Sequence, residues 1–263
     1  MNRITDPSKI QNLERENIDL QDYIDMGNPG IFKKNIAGNK HQNIMDEIIH
    51  LAVLSADGFN RSILNRIATD VVHLFNGSYP GYRACNTMYH DLEHTQAVVL
   101  STARLVYGAV AAQGHCFSSR EIIIVLAAAF FHDIGFIQIE SDTEGTGAKY
   151  TVGHELRSIE FIKKYLAAHS FTPENIEDCK HMIMATVLNS KFANIPFRVQ
   201  QIQLLAQIVG AADLMAQVAD RLYLEKLLLL YREFVEDGIV EFKSEFDLLE
   251  KTHDFYEFVY LRK

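Results

Sequence analysis

The chain has 263 residues and a formal net charge of −9, and 48% of its residues are hydrophobic. These values are ordinary for a globular protein with a buried core, and the acidic balance argues against nonspecific binding to nucleic acid, which depends on Lys and Arg neutralising phosphates. The three cysteines are widely spaced, without a Cys-x-x-Cys pair, which argues against a disulfide framework and a cysteine zinc site and favours a reducing compartment.

The chain is predicted to consist of a polar N-terminal extension, residues 1–42, and one helical domain, residues 43–263. The extension contains a turn pattern, Gly-Asn-Pro-Gly, at residues 27–30. Its beginning lacks the apolar core of a secretory signal, and the longest apolar stretch, residues 122–131, is too short to span a bilayer. We therefore expect a cytoplasmic protein with no membrane partner.

The first half of the domain is predicted to be helical. Apolar residues recur at steps of three and four, as at Ile44, Ile48 and Leu51, a spacing typical of amphipathic helices. A helix is expected to begin near His90 and to end at Gly114. A capping-box pattern at residues 118–121 then opens a helix that is apolar on nearly all sides, which indicates a central, buried helix.

The second half is predicted to be helical as well. A loop at residues 139–151, a candidate lid, precedes a helix that starts at His154, and Thr172 followed by proline opens the next helix. A long helix is expected over residues 199–235, with a break near Gly210. Only residues 239–242 alternate like a strand, and they are too few to define a sheet. The sequence therefore predicts an all-α fold.

Imidazole and carboxylate side chains with the properties of metal ligands recur through this domain. They are the natural ligands of zinc, manganese and iron, and several lie in apolar surroundings where an unpaired charge would be costly. In chain order they are His90, His94, His132, Asp133, His154, His181 and Asp213. Each histidine taken alone is also explained as a hydrogen-bonded structural residue, but the ordered set favours a metal centre.

This order resembles the HD superfamily of metal-dependent phosphohydrolases, named for its paired His-Asp. The segment Tyr-His-Asp-Leu-Glu-His at residues 89–94 is similar to the Tyr-His-Asn-x-x-His signature of the cyclic-nucleotide phosphodiesterases in that superfamily, with Asp91 in the place of asparagine. The resemblance covers roughly residues 45–235. It implies a helical bundle that hydrolyses a nucleotide or another small phosphoester.

The resemblance also implies a dinuclear centre. His94, His132, Asp133 and Asp213 would hold a first divalent metal, and Asp133 would bridge to a second one, completed by His154 and His181. The ions would be Fe, Mn, Zn or Mg. A metal-activated water would attack the phosphorus, and His90 would act as the general acid that protonates the leaving group, oriented by Asp91 or Glu93.

Candidate substrate contacts are less constrained by the sequence. Gln217 and Arg221 follow Asp213 by four and eight residues and are predicted to share its helical face. Lys191 follows the helix of His181 and could contact a phosphate. All three are also explained as surface polar groups.

Two other functions use the same ligands. Some helical members of the superfamily hold two irons in this order and activate dioxygen, so an oxygenase acting on a small polar substrate is an alternative, although it would not need a general acid at His90. The other alternative is a sensor that binds metal without turnover. The sequence leaves homo-oligomerisation open.

Overall fold

The computed structural model describes residues 40–188, 191–239 and 241–261. The chain divides into two units between residues 45 and 46. Of the predicted extension, residues 1–39 lie outside the described residues, so the extension stays a prediction. The sequence features discussed below lie in the second unit.

The described residues form an all-α fold, as predicted from the sequence. They contain no strand, only two isolated β-bridges, Asn76–Ala84 and Tyr82–Ile139. Short 3-10 helices occupy Ile134–Phe136, Gly147–Tyr150 and Phe192–Asn194. The α-helices are α1 (Lys40–Ser55), α2 (Arg61–Phe75), α3 (Leu92–Gln113), α4 (Ser119–Phe131), α5 (His154–Ala168), α6 (Pro173–Met184), α7 (Gln200–Val218), α8 (Tyr223–Glu236), α9 (Glu245–Glu250) and α10 (Thr252–Leu261).

The core is built around α4, whose residues 122–131 are all buried. The predicted capping box opens this helix: Ser118 Oγ accepts the Glu121 N–H at 3.2 Å, and the Glu121 carboxylate accepts the Ser118 N–H at 2.8 Å. α4 packs against α2, α3, α6 and α7, and each large apolar side chain that it buries contributes roughly 1.5–3 kcal/mol. The prediction of a central buried helix is confirmed.

The start of α3 differs from the prediction by two residues. The helix begins at Leu92 because Asp91 is its N-cap, with its carboxylate accepting the His94 N–H at 2.8 Å. Aspartate and asparagine cap helices about equally well, so Asp91 can serve this purpose in the place of asparagine. His90 therefore lies before the helix and not on it.

The predicted long helix of residues 199–235 is interrupted, but not at Gly210. It ends at Val218, and α8 starts at Tyr223 with its axis bent by 110°. Gly210 lies within α7, where a Cβ atom would come 2.6 Å from the Ala185 carbonyl oxygen. This glycine therefore permits close packing of α7 on the end of α6 rather than a helix break.

A smaller apolar cluster lies around α8 and α9. Its buried members are Tyr89, Tyr223, Leu227, Leu230 and Leu248. Because Tyr89 belongs to this cluster, α8 and α9 pack against the segment that leads into α3.

No single helix among the described residues is both long and apolar enough to cross a membrane. Only α7 and α8 taken together reach that length and composition, and they are bent at their junction.

Candidate metal centre

The end of α4 places His132 and Asp133 at the start of a tight turn. His132 is the C-cap of α4, and Asp133 begins the 3-10 helix Ile134–Phe136. Ser158 of α5 fixes this turn, since its hydroxyl donates to the His132 carbonyl at 2.6 Å and accepts the Gly135 N–H at 2.9 Å. A Cβ atom on Gly135 would lie 1.9 Å from the His154 carbonyl oxygen, so glycine here lets α5 approach the turn.

Four predicted ligands from three segments meet at this point. His132 Nε2 and His94 Nε2 lie 3.0 and 3.5 Å from Asp133 Oδ2. Asp213 on α7 approaches from the other side, with its Oδ1 atom 3.3 Å from His94 Nε2 and 3.6 Å from His132 Nε2. Because α3 packs along α7 and against α4, the helix packing brings the four side chains together.

The buried atoms of this cluster fit a metal ion. His132 Nε2 and Asp133 Oδ2 are buried and have no hydrogen-bond partner among the described residues, since their 3.0 Å approach lacks hydrogen-bond geometry. Buried polar atoms in proteins are nearly always paired. One atom each from His94, His132 and Asp133 lies within 4.8 Å of the others, and imidazole with carboxylate is a ligand set suited to zinc, manganese or iron. This group could therefore bind a metal ion.

Backbone carbonyls set the tautomers of two histidines. The Nδ1–H of His132 donates to the Ala129 carbonyl, and that of His154 donates to the Thr151 carbonyl, each at 2.8 Å. The proton on Nδ1 leaves Nε2 as the ring nitrogen of each histidine that faces Asp133. Metal-binding histidines in proteins are commonly oriented in this way.

The histidines and carboxylates of the cluster stabilise each other's charged forms. Burial disfavours the charged form of His132, but the neighbouring Asp133 carboxylate raises the pKa of this imidazole well above its ordinary value. Burial likewise disfavours ionised Asp133, but His132 and then His154 hold the pKa of the carboxyl well below its usual range. A metal must therefore displace a proton from the cluster, so metal binding is expected to weaken in acid.

His154, the first residue of α5, contacts the other oxygen of Asp133. Its Nε2 atom lies 3.3 Å from Asp133 Oδ1, whereas His94 and His132 face Oδ2. The two oxygens of one carboxylate thus face different imidazoles. This arrangement suits the bridging role predicted for Asp133.

His181 is the predicted ligand that the structure does not bring into contact with the others. Its side chain is buried on α6, where Nε2 lies 3.2 Å from Glu177 Oε1 and the ring faces Phe197. Neither ring nitrogen has a hydrogen bond within the described part of the chain, and no ion pair joins His181 to Asp133 or Asp213 there. Its role as a ligand stays a prediction.

His90 is paired with a carboxylate that the sequence did not suggest. Its Nδ1 atom lies 2.5 Å from Glu233 Oε2 on α8, while Glu233 Oε1 accepts the Tyr89 N–H at 2.6 Å. Asp91, one of the two predicted partners, instead caps α3. The Glu233 side chain is only 2% exposed. Burial would raise the pKa of its carboxyl, but the hydrogen bond from His90 holds this pKa below its ordinary value.

One feature of the sequence marks Glu233 as unusual. It follows Leu227 and Leu230 at helical spacing, so a charged residue continues the apolar face of α8. A buried carboxylate in such a position requires a partner. The sequence contains no signal that the partner is His90, which lies 143 residues away.

Phe136 packs against His90 and holds it beside the candidate metal-binding group. The rings of His90 and His154 both lie with their centroids 4.2 Å from that of Phe136. The centroid of His90 is 5.7 Å from that of His94 and 6.0 Å from that of His154. The His90 imidazole is therefore adjacent to residues on both sides of Asp133.

The three predicted substrate contacts lie near or beyond the ends of helices. Gln217 is partly buried in the last turn of α7. Arg221 is exposed and follows the end of that helix, so the expectation that it shares the helical face of Asp213 is wrong. Lys191 is exposed at the start of the 3-10 helix Phe192–Asn194.

The sequence profile of the Npun_R2479-like family matches residues 78–262. No curated protein and no solved structure matches the chain. The matched segment is more than half of the chain and contains every residue discussed in this section. The chain belongs to the Npun_R2479-like family.

Proposed function

We propose that this protein is a metal-dependent phosphoester hydrolase of the HD type that acts on a nucleotide or another small phosphoester. The observation that carries the proposal is the His90–Glu233 pair beside the candidate metal cluster. A cluster of ligands alone would serve a hydrolase, an oxygenase or a sensor equally well. A histidine held by a buried carboxylate is what an acid that protonates a leaving group requires.

His94, His132, Asp133 and Asp213 would hold one divalent ion, and Asp133 and His154 would contribute to holding a second. Such an ion supplies Lewis acidity and lowers the pKa of water. The chain contributes the orientation of its own groups: the Ala129 and Thr151 carbonyls fix two imidazoles, and Ser158 fixes the turn that carries His132. The ligands are thus arranged before substrate binds.

The proposed role of His90 follows from its partner. Glu233 accepts the Nδ1–H of His90, which leaves Nε2 as the nitrogen that exchanges a proton with substrate. This hydrogen bond fixes the orientation of the ring. In the imidazolium form, Nε2–H donates its proton to the departing oxygen, and the neutral ring then recovers a proton from solvent.

A leaving-group series tests this role. Wild type, His90→Gln and Glu233→Gln are assayed with manganese or iron on bis(p-nitrophenyl) phosphate and on diesters with alkyl leaving groups. Because p-nitrophenolate departs without protonation, His90→Gln should slow the alkyl esters about 10²–10⁴-fold and the nitrophenyl ester far less. Glu233→Gln should show the same selectivity with a smaller loss. His253→Gln, at an exposed histidine on α10, is the matched control.

Three results would contradict the proposal. Equal slowing of every ester by His90→Gln would show that His90 is not the general acid. Iron-dependent consumption of dioxygen without hydrolysis of any phosphoester would support the oxygenase alternative, and metal binding without either activity would support the sensor.

A further inference from the structure

The carboxyl end of α8 contacts two segments of the chain, residues 89–90 and 146–152, through three acidic side chains. Glu233 accepts N–H groups from Tyr89 and His90. Glu236 accepts the Thr146 N–H at 2.5 Å and its hydroxyl at 2.7 Å. Asp237, the C-cap residue, accepts the Val152 N–H at 3.0 Å.

These carboxylates lie where the helix itself disfavours them. The carboxyl end of a helix carries partial negative charge, which repels acidic side chains, and the last turn of α8 contains no basic residue. Charge-assisted hydrogen bonds to N–H groups of other segments offset this repulsion. The contacts therefore explain the otherwise unfavourable placement of Glu236 and Asp237.

Asp237 is connected to His154 through one short turn. The Val152 N–H that it binds belongs to the turn in which the Thr151 carbonyl accepts the Nδ1–H of His154. The proton on Nδ1 leaves His154 Nε2 free to face Asp133 Oδ1 at 3.3 Å. Fixing the turn thus fixes both the tautomer and the direction of this imidazole.

Glu236 holds the preceding part of the same segment. Thr146, its partner, caps the 3-10 helix Gly147–Tyr150 by accepting the Ala148 N–H at 3.1 Å. Gly147 in turn packs directly on the 132–136 turn, since a Cβ atom there would lie 2.0 Å from the Phe136 carbonyl oxygen. The loop predicted as a candidate lid, residues 139–151, is therefore attached to α8 at Thr146, and Val152, the residue after it, is attached to α8 as well.

We propose that Glu236 and Asp237 are positioning residues that hold the 146–152 segment, and through it His154, against Asp133. With Glu233, they make the end of α8 the support of His90 and of the His154 side of the cluster. The inference rests on the proposed metal site, but its first test needs neither metal nor turnover.

The first test measures the tautomer of His154 by NMR in the metal-free, full-length protein labelled with ¹⁵N-histidine. In the wild type, His154 should be protonated on Nδ1, and the Val152 amide should be protected from hydrogen exchange. Asp237→Ala should lose the protection and give a mixture of tautomers or conformers at His154. Asp237→Asn keeps an acceptor oxygen and should restore the wild-type signals. Asp254→Ala, at an exposed aspartate of α10, should change neither.

The second test measures manganese binding by calorimetry. Loss of the outer-shell partner of a metal-binding histidine typically weakens metal binding about 10–100-fold. Asp237 acts on that partner of His154, the Thr151 carbonyl, through the neighbouring Val152 N–H. Asp237→Ala should therefore weaken the binding step that involves His154 by up to this factor, while His94 and His132 still bind. Glu236→Leu should act in the same direction, with Glu236→Gln close to wild type.

An unprotected Val152 amide in the wild type would overturn the inference without any variant. So would an unchanged His154 signal in Asp237→Ala, or equal behaviour of the Ala and Asn variants. If the protein hydrolyses no phosphoester but the His154 signals respond as expected, the positioning role stands and the proposed function fails.

Discussion

The two oxygens of Asp133 face parts of the molecule that are built differently. On the Oδ2 side, His94 lies in the first turn of α3, His132 ends α4 and Asp213 lies within α7. On the Oδ1 side, His154 begins α5 after a loop, and its direction depends on the turn that precedes it.

This difference indicates how each side is stabilised. The Oδ2 side is fixed by the packing of helices around the core, where α4 is buried along its length. The Oδ1 side is fixed by hydrogen bonds that exposed backbone N–H groups donate to the carboxylates at the end of α8, and such contacts open more readily than a packed core. We expect the Oδ2 side to bind metal more tightly.

The largest expected effect is the loss of metal binding on both sides of the site in Asp133→Ala, because this carboxylate contacts the histidines of each side. Manganese at about 100 times its Kd should stabilise the wild type by about 2.7 kcal/mol against unfolding and should leave Asp133→Ala unchanged. Urea unfolding with and without manganese measures this, with Asp254→Ala as the control. A metal-dependent gain that survives in Asp133→Ala would place the ion elsewhere.

Gly135→Ala should lower the free energy of unfolding by disrupting the contact between α5 and the turn that carries Asp133. Its methyl group would collide with the His154 carbonyl, and such overpacking costs about 1–3 kcal/mol or more. Gly108→Ala is the matched control, because Gly108 lies within α3 with open space around it, and alanine there should stabilise the helix by up to about 1 kcal/mol. Similar free energies of unfolding for the two variants would show that α5 does not approach the turn so closely.

His154→Ala should distinguish the metal binding of the two sides. The tighter manganese-binding step should persist, while the weaker step should be lost or reduced by at least about 100-fold, more than the loss of an outer-shell partner produces. Calorimetric titration measures both steps. His181→Ala provides the comparison: the same loss would show that His181 joins the centre when metal binds, and an unchanged titration would show that its predicted role as a ligand is wrong.

The smallest expected effect is the pH dependence of the contact between Glu233 and His90. The folded-state pKa of Glu233 is depressed below its ordinary value of 4.5, so its ionised form adds stability above that pH, and the contribution is lost as the pH falls through the folded-state pKa. The free energy of unfolding, measured by urea titration at several pH values, should be about 1 kcal/mol larger for the wild type than for Glu233→Gln at neutral pH. This difference should shrink below pH 4.5. A difference that grows in acid would contradict an ionised Glu233.

Local signals and long-range contacts differed in how well the sequence predicted them. The sequence correctly predicts Ser118 and Thr172 as helix N-caps, because each cap depends on residues at most three positions apart. The break between α7 and α8 was misplaced, because the tolerance of a glycine inside a helix depends on its neighbour, here Ala185.

The site shows the same distinction. The convergence of His94, His132, Asp133 and Asp213 was predicted through the resemblance of their order to a known superfamily. The partner of His90 was not, because the pairing with Glu233 is made by the packing of α8 on the segment before α3 and not by any local pattern. Likewise, no spacing rule shows that Asp237 supports the turn before His154.

The most direct test of the account is anomalous X-ray diffraction from crystals grown with manganese. We predict a peak between His94 Nε2, His132 Nε2, Asp133 Oδ2 and Asp213 Oδ1, the atoms that the structure brings within 3.0–3.6 Å of a cluster partner. A map with no peak among these four side chains, in crystals whose protein is folded as described here, would contradict the metal centre and the hydrolytic function proposed from it.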